Sequence, residues 1–106
     1  MEGMELICFN IISAVGSARS DYIEAIHKAK EGKYDEAETL IESGRKSFVE
    51  GHKAHAELLA KEAGGDGAEI CLMLVHAEDQ LMSAESFGIL AEEFIDVYRR
   101  MDSREQ

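Results

Sequence analysis

Proline is absent from this chain, and its apolar periodicity is interrupted at only two glycine-centred places, Glu31-Gly32-Lys33 and Gly64-Gly65-Asp66-Gly67. Glycine clusters between periodic segments are the ordinary marks of helix–helix connections. The segments they separate carry the three- and four-residue step of a helix with one buried face. In the first, from about residue 5 to residue 30, Leu6, Phe9, Ile12, Val15, Tyr22, Ile23 and Ile26 follow that step. Gly16, Ser17 and Ala18 fall inside it, where small residues weaken a helix or admit a close neighbour. The second segment runs from about 35 to 63, with Ala37, Ile41, Gly44, Phe48, His55, Leu58 and Leu59 on one stripe. The third runs from about 68 to 101 and carries Leu72, Val75, Leu81, Met82, Phe87, Leu90, Phe94, Ile95, Val97 and Tyr98. Asp66 with Glu69, and Asp35 with Glu38, have the spacing of capping boxes at helix starts. No stretch alternates with period two. At 106 residues there is room for one core. The expectation is a single all-α domain spanning 1–106: an antiparallel, up-down-up three-helix bundle.

The third helix strains that picture. At ~1.5 Å per residue it would be roughly 50 Å long, and it is apolar on nearly every face, opening with the run Ile70-Cys71-Leu72-Met73-Leu74-Val75. Helices that are apolar all round are buried all round, so this one is expected to face a partner subunit as well as its own bundle.

Charge narrows the partners. The chain has 22 acidic against 11 basic residues and a formal net charge of −11. Such a surface repels phosphate backbones, which excludes nucleic acid, and favours a basic protein or a metal ion. Cys8 and Cys71 lack any CxxC spacing and sit in apolar context, which reads as reduced, buried thiols of a cytoplasmic protein. The N-terminal stretch has no basic region of the signal-peptide kind. No apolar run approaches the ~20 residues of a membrane span, so membrane insertion is not expected.

The candidate chemistry lies in Leu74-Val75-His76-Ala77-Glu78-Asp79-Gln80-Leu81-Met82, a polar island in an apolar helix. At ~100° per residue, Asp79 lies about 60° from His76, Gln80 about 40°, Ser83 about 20° and Glu78 about 160°. His76, Asp79, Gln80 and Ser83 therefore share a face, and Glu78 does not. A nucleophilic imidazole suits such a setting, with a carboxylate to hold its tautomer and an amide and hydroxyl to donate to an incoming anion. Spacing alone equally describes a solvated surface histidine with an i+3 carboxylate, which is the commoner arrangement. His52 and His55, three residues apart on the second helix, could be metal ligands but lack a matched third. His52 could also reach His76 across a helix interface. His27 reads as a plain surface residue, and neither glycine loop carries a phosphate-loop GKS/T.

The stretch Leu74-Val75-His76-Ala77-Glu78-Asp79-Gln80-Leu81-Met82-Ser83 resembles the phosphorylated-histidine motif of IIA components of the bacterial sugar phosphotransferase system, lactose/cellobiose type. Two further segments agree in order: Gly16-Ser17-Ala18-Arg19-Ser20 in the first helix, and Glu50-Gly51-His52 with Leu58-Leu59 in the second. The resemblance covers nearly the whole chain with the same loop placement. It implies a homotrimer of three-helix subunits and a phosphotransferase role in phosphoenolpyruvate-dependent sugar uptake. His76 would accept a phosphoryl group from the phosphohistidine of the phosphocarrier protein HPr and pass it to a cysteine of the IIB component. Asp79 matches a residue that in the family lies on the trimer axis and binds a divalent cation, commonly Mg2+. Gln80, His52 and Ser83 would neighbour the phosphate, His52 from an adjacent subunit. Two positions depart from the family: Gln80 replaces its usual second histidine and Glu78 its usual glutamine. Gln80 can donate to a phosphate but cannot carry charge. The alternatives are a histidine phosphotransfer module of two-component signalling, and a non-enzymatic helical oligomer whose polar island fixes register. Asp79 stands where the signalling modules prefer a lysine.

Overall fold

The computed structural model describes residues 3–65 and 69–105. Three helices account for nearly all of them: α1 Met4–Lys30, α2 Tyr34–Ala63 and α3 Leu72–Glu105. They form a rod of 59 × 20 × 18 Å. Cross-helix partners give the directions. As α2 advances from Glu38 to Arg45 to His55, its α3 partners fall from Arg99 to Glu92 to Glu78, so these helices are antiparallel. From α1 to α3 the partners rise together, Arg19 with Gln80 and Tyr22 against Gly88, so these two are parallel. The bundle is up-down-up.

Glycine ends the first two helices as the sequence leads one to expect. Gly32 takes φ +79°, its N–H bonds the Ala29 carbonyl (3.0 Å), and the Lys33 N–H bonds the Lys28 carbonyl (2.9 Å). Those two bonds are the Schellman closure, which satisfies carbonyls that the helix end would otherwise orphan. Gly65 repeats the turn at φ +92°, with its N–H on the Glu62 carbonyl. The helix starts differ from expectation. α2 begins at Tyr34 with Lys33 as its cap and no side-chain capping bond, so the Asp35–Glu38 box does not form. The reason is Tyr34 itself: its hydroxyl donates to the Asp102 carboxylate and its ring carries the Arg99 guanidinium at 4.7 Å. That anchorage draws the residue into the first helical turn. The proposed box at Asp66, and the expected helix start at 68, lie outside the described residues. Residues 69–71 are not helical, so α3 starts at Leu72, and it continues past 101 to Glu105.

The core lies mainly along α1, which packs against both other helices, whereas α2 and α3 meet along a thinner seam. One cluster gathers Ile7, Cys8, Ile11, Val15, Leu58, Ala77, Leu81 and Ala84; the next gathers Ala18, Tyr22, Ala25, Ala29, Ala37, Ile41, Ala91 and Ile95. Alanine supplies much of this list, and small side chains let the axes approach. Tyr22 is the exception that proves tight: its ring lies between Gly44 of α2 and Gly88 of α3. Polar pairs line the α2–α3 seam, with Arg45 on Glu92, Arg99 on Glu38 (3.4 Å) and the part-buried His55 on Glu78 (2.7 Å). The two exposed arginine pairs are each worth only ~0–1 kcal/mol, so they set register more than stability.

α3 has two apolar faces. Ala77, Leu81, Ala84, Ala91 and Ile95 are buried against the bundle. On the opposite side Leu72, Val75, Met82, Leu90, Phe94 and Val97 remain exposed, Leu72 by 85% and Met82 by 67%. The run from Ile70 to Val75 is therefore not covered by its own chain: Ile70, Cys71, Leu72 and Val75 are exposed, and only Met73 and Leu74 are partly buried. A single subunit has one groove to fill from α3, and Ala77 and Leu81 already fill it. Among the described residues, no helix is long and apolar enough to cross a membrane.

Candidate functional site

His76 sits on the second turn of α3 with its side chain exposed. Its position follows from α3's phase. The buried ridge passes through Ala77, Leu81 and Ala84, so residue 76 falls about 100° from it, on the rim between α1 and solvent. Gln80 and Ser83, one and two turns on, are half buried on the same rim, as equal steps around the helix require. Asp79 is exposed and lies on the other side of His76, in the middle of the apolar stripe formed by Leu72, Val75, Met82 and Leu90. The shared face predicted from the sequence therefore divides. Gln80 faces α1, and Asp79 faces outward among apolar neighbours.

Gln80 is held. Its side-chain carbonyl accepts a hydrogen bond from Arg19 Nη1 at 2.7 Å, and the Arg19 guanidinium carbon stands 5.2 Å from the centroid of the Phe87 ring. A bond to a charged donor is worth ~1.5–3 kcal/mol, enough to keep a half-buried amide in one rotamer. In the sequence Arg19 falls within the Gly16–Ser20 signature, and nothing there assigns it a role. The available signal was weak: a glutamine carbonyl facing the bundle needs a donor, and Arg19 is a long donor on α1.

Glu78 points to the far side of α3, as its phase predicts, and there it pairs with His55 of α2. His55 is thus engaged with a residue of α3, and His52 is not part of that pair. His52 is exposed, with its ring tilted against Phe48 at 6.3 Å between centroids. The flank of α3 that faces α2 is marked by Glu78, about 160° round the helix from His76. His52 and His76 are consequently not brought together within one chain. His27 is exposed and pairs with Glu24 at 3.5 Å. Among the described residues no three His, Cys, Asp or Glu side chains form a group able to hold a metal.

The cysteines differ from expectation in one respect. Cys8 is buried, and burial first, then Cys71 and Glu78 nearby, pushes its thiol pKa up. Cys71, expected to be buried, is exposed just before α3, because the segment preceding Leu72 is not wound into the bundle.

A groove of about 630 Å³ between α1 and α2 is lined by Asn10, Ser13, Glu50, Lys53 and Glu57 among others, none of its lining residues coming from α3. The site at His76 is instead an open rim: an exposed imidazole on a rigid helix, with a clamped amide one turn away. An accessible ring nitrogen with donors beside it can take up an anionic group from a protein that docks over it.

Comparison with known proteins gives that chemistry a context. Residues 6–99 match the family model described as "PTS system, Lactose/Cellobiose specific IIA subunit". A lactose-specific EIIA component of the phosphotransferase system from Streptococcus mutans is 39% identical over 99 residues, covering 93% of this chain and 95% of that one. The crystal structure of a cellobiose-specific enzyme IIA from Bacillus anthracis superposes with a TM-score of 0.92 at 38% identity, over 97% of this chain and 95% of that one. A solution structure of a chitobiose IIA in complex with HPr matches with a TM-score of 0.84 at 26% identity, over 96% and 99% of the two chains. With its helices, its order of motifs and nearly its full length accounted for, the chain belongs to the lactose/cellobiose-specific IIA family of the sugar phosphotransferase system.

Proposed function

We propose that His76 is the phosphoryl carrier of this IIA component, loaded by phosphorylated HPr and discharged to a cysteine of the IIB component during sugar uptake. The observation that carries the reading is the placement of His76: exposed on a rigid helix and beside a donor amide, inside the motif that resembles the family's phosphohistidine site. A IIA relative has been solved in complex with HPr, which supports the same donor here. In the first step an unprotonated ring nitrogen of His76 attacks phosphorus in line. The new N–P bond forms as the N–P bond of the HPr phosphohistidine breaks, and that electron pair returns to the HPr imidazole. In the second, a IIB thiolate attacks the same phosphorus and the His76 ring recovers its electron pair. Such transfers pass through a loose transition state, so positioning and charge stabilisation do most of the work. Gln80 and Ser83 would supply hydrogen-bond donors to the phosphoryl oxygens. The net charge of −11 suits docking to partners with basic rims and speeds encounter. The sugar need not touch this subunit, and the work is expected in the cytoplasm.

The same reading extends to a homotrimer. The outward apolar stripe of α3 is what a partner copy would cover, and three copies around an axis would place His52 of one subunit within reach of His76 of the next. Asp79, central in that stripe, would then meet its two equivalents. Converging carboxylates in a dry interface repel unless a cation or shared protons compensate, and a divalent ion such as Mg2+ with oxygen ligands fits that donor set. When bound, the ion would neutralise the carboxylates.

The direct test is transfer of a labelled phosphoryl group from phospho-HPr to the purified chain and to His76→Ala. The wild type should be labelled and the variant not. Labelling that persists in the variant at His52 or His55 would overturn the assignment.

A further inference from the structure

We propose that Arg19 is a positioning residue for phosphoryl transfer: by holding the Gln80 carbonyl it turns the Gln80 amide nitrogen into a fixed donor for the phosphoryl group on His76. The inference rests on the reading of His76 as the carrier and adds to it a residue on another helix.

Arginine has five N–H donors and no acceptor, so only the oxygen of a glutamine amide can face it. The 2.7 Å bond from Arg19 Nη1 therefore settles which end of Gln80 is which. With Oε1 engaged, Nε2 is left with two N–H groups to offer. Gln80 follows His76 by four residues, so their Cβ atoms lie about 5–6 Å apart on one face. A free glutamine could equally offer its carbonyl, which would repel phosphoryl oxygens. One clamped by Arg19 can offer only donors.

The clamp is itself braced. The Arg19 guanidinium stacks over Phe87 at 5.2 Å, and Phe87 follows Gln80 on α3 by seven residues, two turns along the same rim. Arg19 is thus gripped by two α3 side chains at once, and its stem is half buried between the helices. Its Nε is buried and has no hydrogen-bond partner among the described residues. Arg19 Nη1 is engaged by the Gln80 carbonyl, so the role proposed for Arg19 is exerted through Gln80.

The test is a double-mutant cycle read by rapid-mixing transfer from phospho-HPr, on the full chain, with Arg19→Met, Gln80→Ala and the double variant. Methionine keeps the apolar stem against Phe87 while removing the donor. Each single change should lower the maximal transfer rate by roughly tenfold, with the half-saturating HPr concentration unchanged, and the double variant should be no slower than Gln80→Ala. In the wild type the Gln80 side-chain N–H resonances should shift when His76 is phosphorylated, and in Arg19→Met that shift should be lost. Arg19→Lys, which can still donate to Oε1, should recover part of the rate and also serves if Arg19→Met does not fold. Multiplicative slowing in the double variant, or a raised half-saturating concentration at full maximal rate, would show that Arg19 contacts phosphate or HPr on its own and would overturn the proposal. Wild-type transfer rates in Arg19→Met would overturn it equally. If the wild type itself is not phosphorylated on His76, the carrier reading fails, and that outcome is distinct from the others.

Discussion

Tyr22 sets the spacing of all three helices, and Gly44→Ala is the change that tests it. A Cβ built at Gly44 would stand 2.5 Å from Tyr22 Cε1 and 2.8 Å from Cδ1. The ring cannot yield in the other direction, because a Cβ at Gly88 would stand 2.9 Å from its Cζ, and only 4% of Tyr22 is exposed. In an unconstrained helix interior the same substitution gains about 0.8–1 kcal/mol. Overpacking a tight core costs about 1–3 kcal/mol, and a ring pinched from both sides belongs at the upper end. The net expectation is a loss of about 2 kcal/mol, or roughly 8–15 °C in Tm for a domain of this size. Thermal unfolding followed by far-UV circular dichroism, at one fixed protein concentration because assembly adds to stability, measures it. The sign should reverse in a Tyr22→Ala background, where the ring is gone and only the helix-propensity gain remains. A stabilising Gly44→Ala in the natural chain, or the same loss in both backgrounds, would refute the reasoning. The result bears on function because Arg19 lies one turn before Tyr22, and the α1–α3 spacing that Tyr22 maintains brings Arg19 to Gln80.

Three further expectations follow from the same geometry. Asp79→Leu should assemble at least as tightly as the wild type in the absence of metal, by up to about 4 kcal/mol, since it exchanges a carboxylate amid apolar neighbours for packing; sedimentation showing a monomeric variant would contradict the placement of Asp79 in an interface. Cys8 should resist a thiol reagent in the native protein and react only after denaturation, since it is buried with its pKa raised; a Cys8 that reacts at once in the folded protein would contradict the described fold. The Tyr34 phenol, pushed up to about 12 chiefly by its hydrogen bond to Asp102, should titrate spectroscopically well above the ordinary tyrosine value of 10.0. Because its folded pKa is raised, its contribution to stability is present below pH 10 and is lost as pH rises through about 12, and Tyr34→Phe should remove that dependence.

Much of the fold was legible because helices announce themselves by step and by what ends them. Gly32 and Gly65 close α1 and α2 in the left-handed turns that glycine alone adopts cheaply. Helical phase is legible too: ~100° per residue separates Glu78 from His76, and Glu78 pairs with His55. Register between helices is not. Arg19 and Gln80 are 61 positions apart, and nothing periodic in either segment links them. The α2 start failed for a related reason, since Tyr34 is recruited by Asp102 and Arg99 from the far end of the chain. The run from Ile70 to Val75 reads as buried but is largely exposed, because apolar character records that a surface is to be covered and not by whom. Sugar identity is not legible at all, which agrees with relatives of lactose and cellobiose specificity matching about equally well.

The central claim is that one exposed imidazole on α3 carries the phosphoryl group. Its most direct test is to expose the full chain to phospho-HPr, digest under alkaline conditions that preserve phosphohistidine, and map the modification by mass spectrometry. The account predicts one acid-labile phosphoryl group per chain on His76, removed when IIB is added. A phosphoryl group on His27, His52 or His55, or none on any histidine, would contradict it.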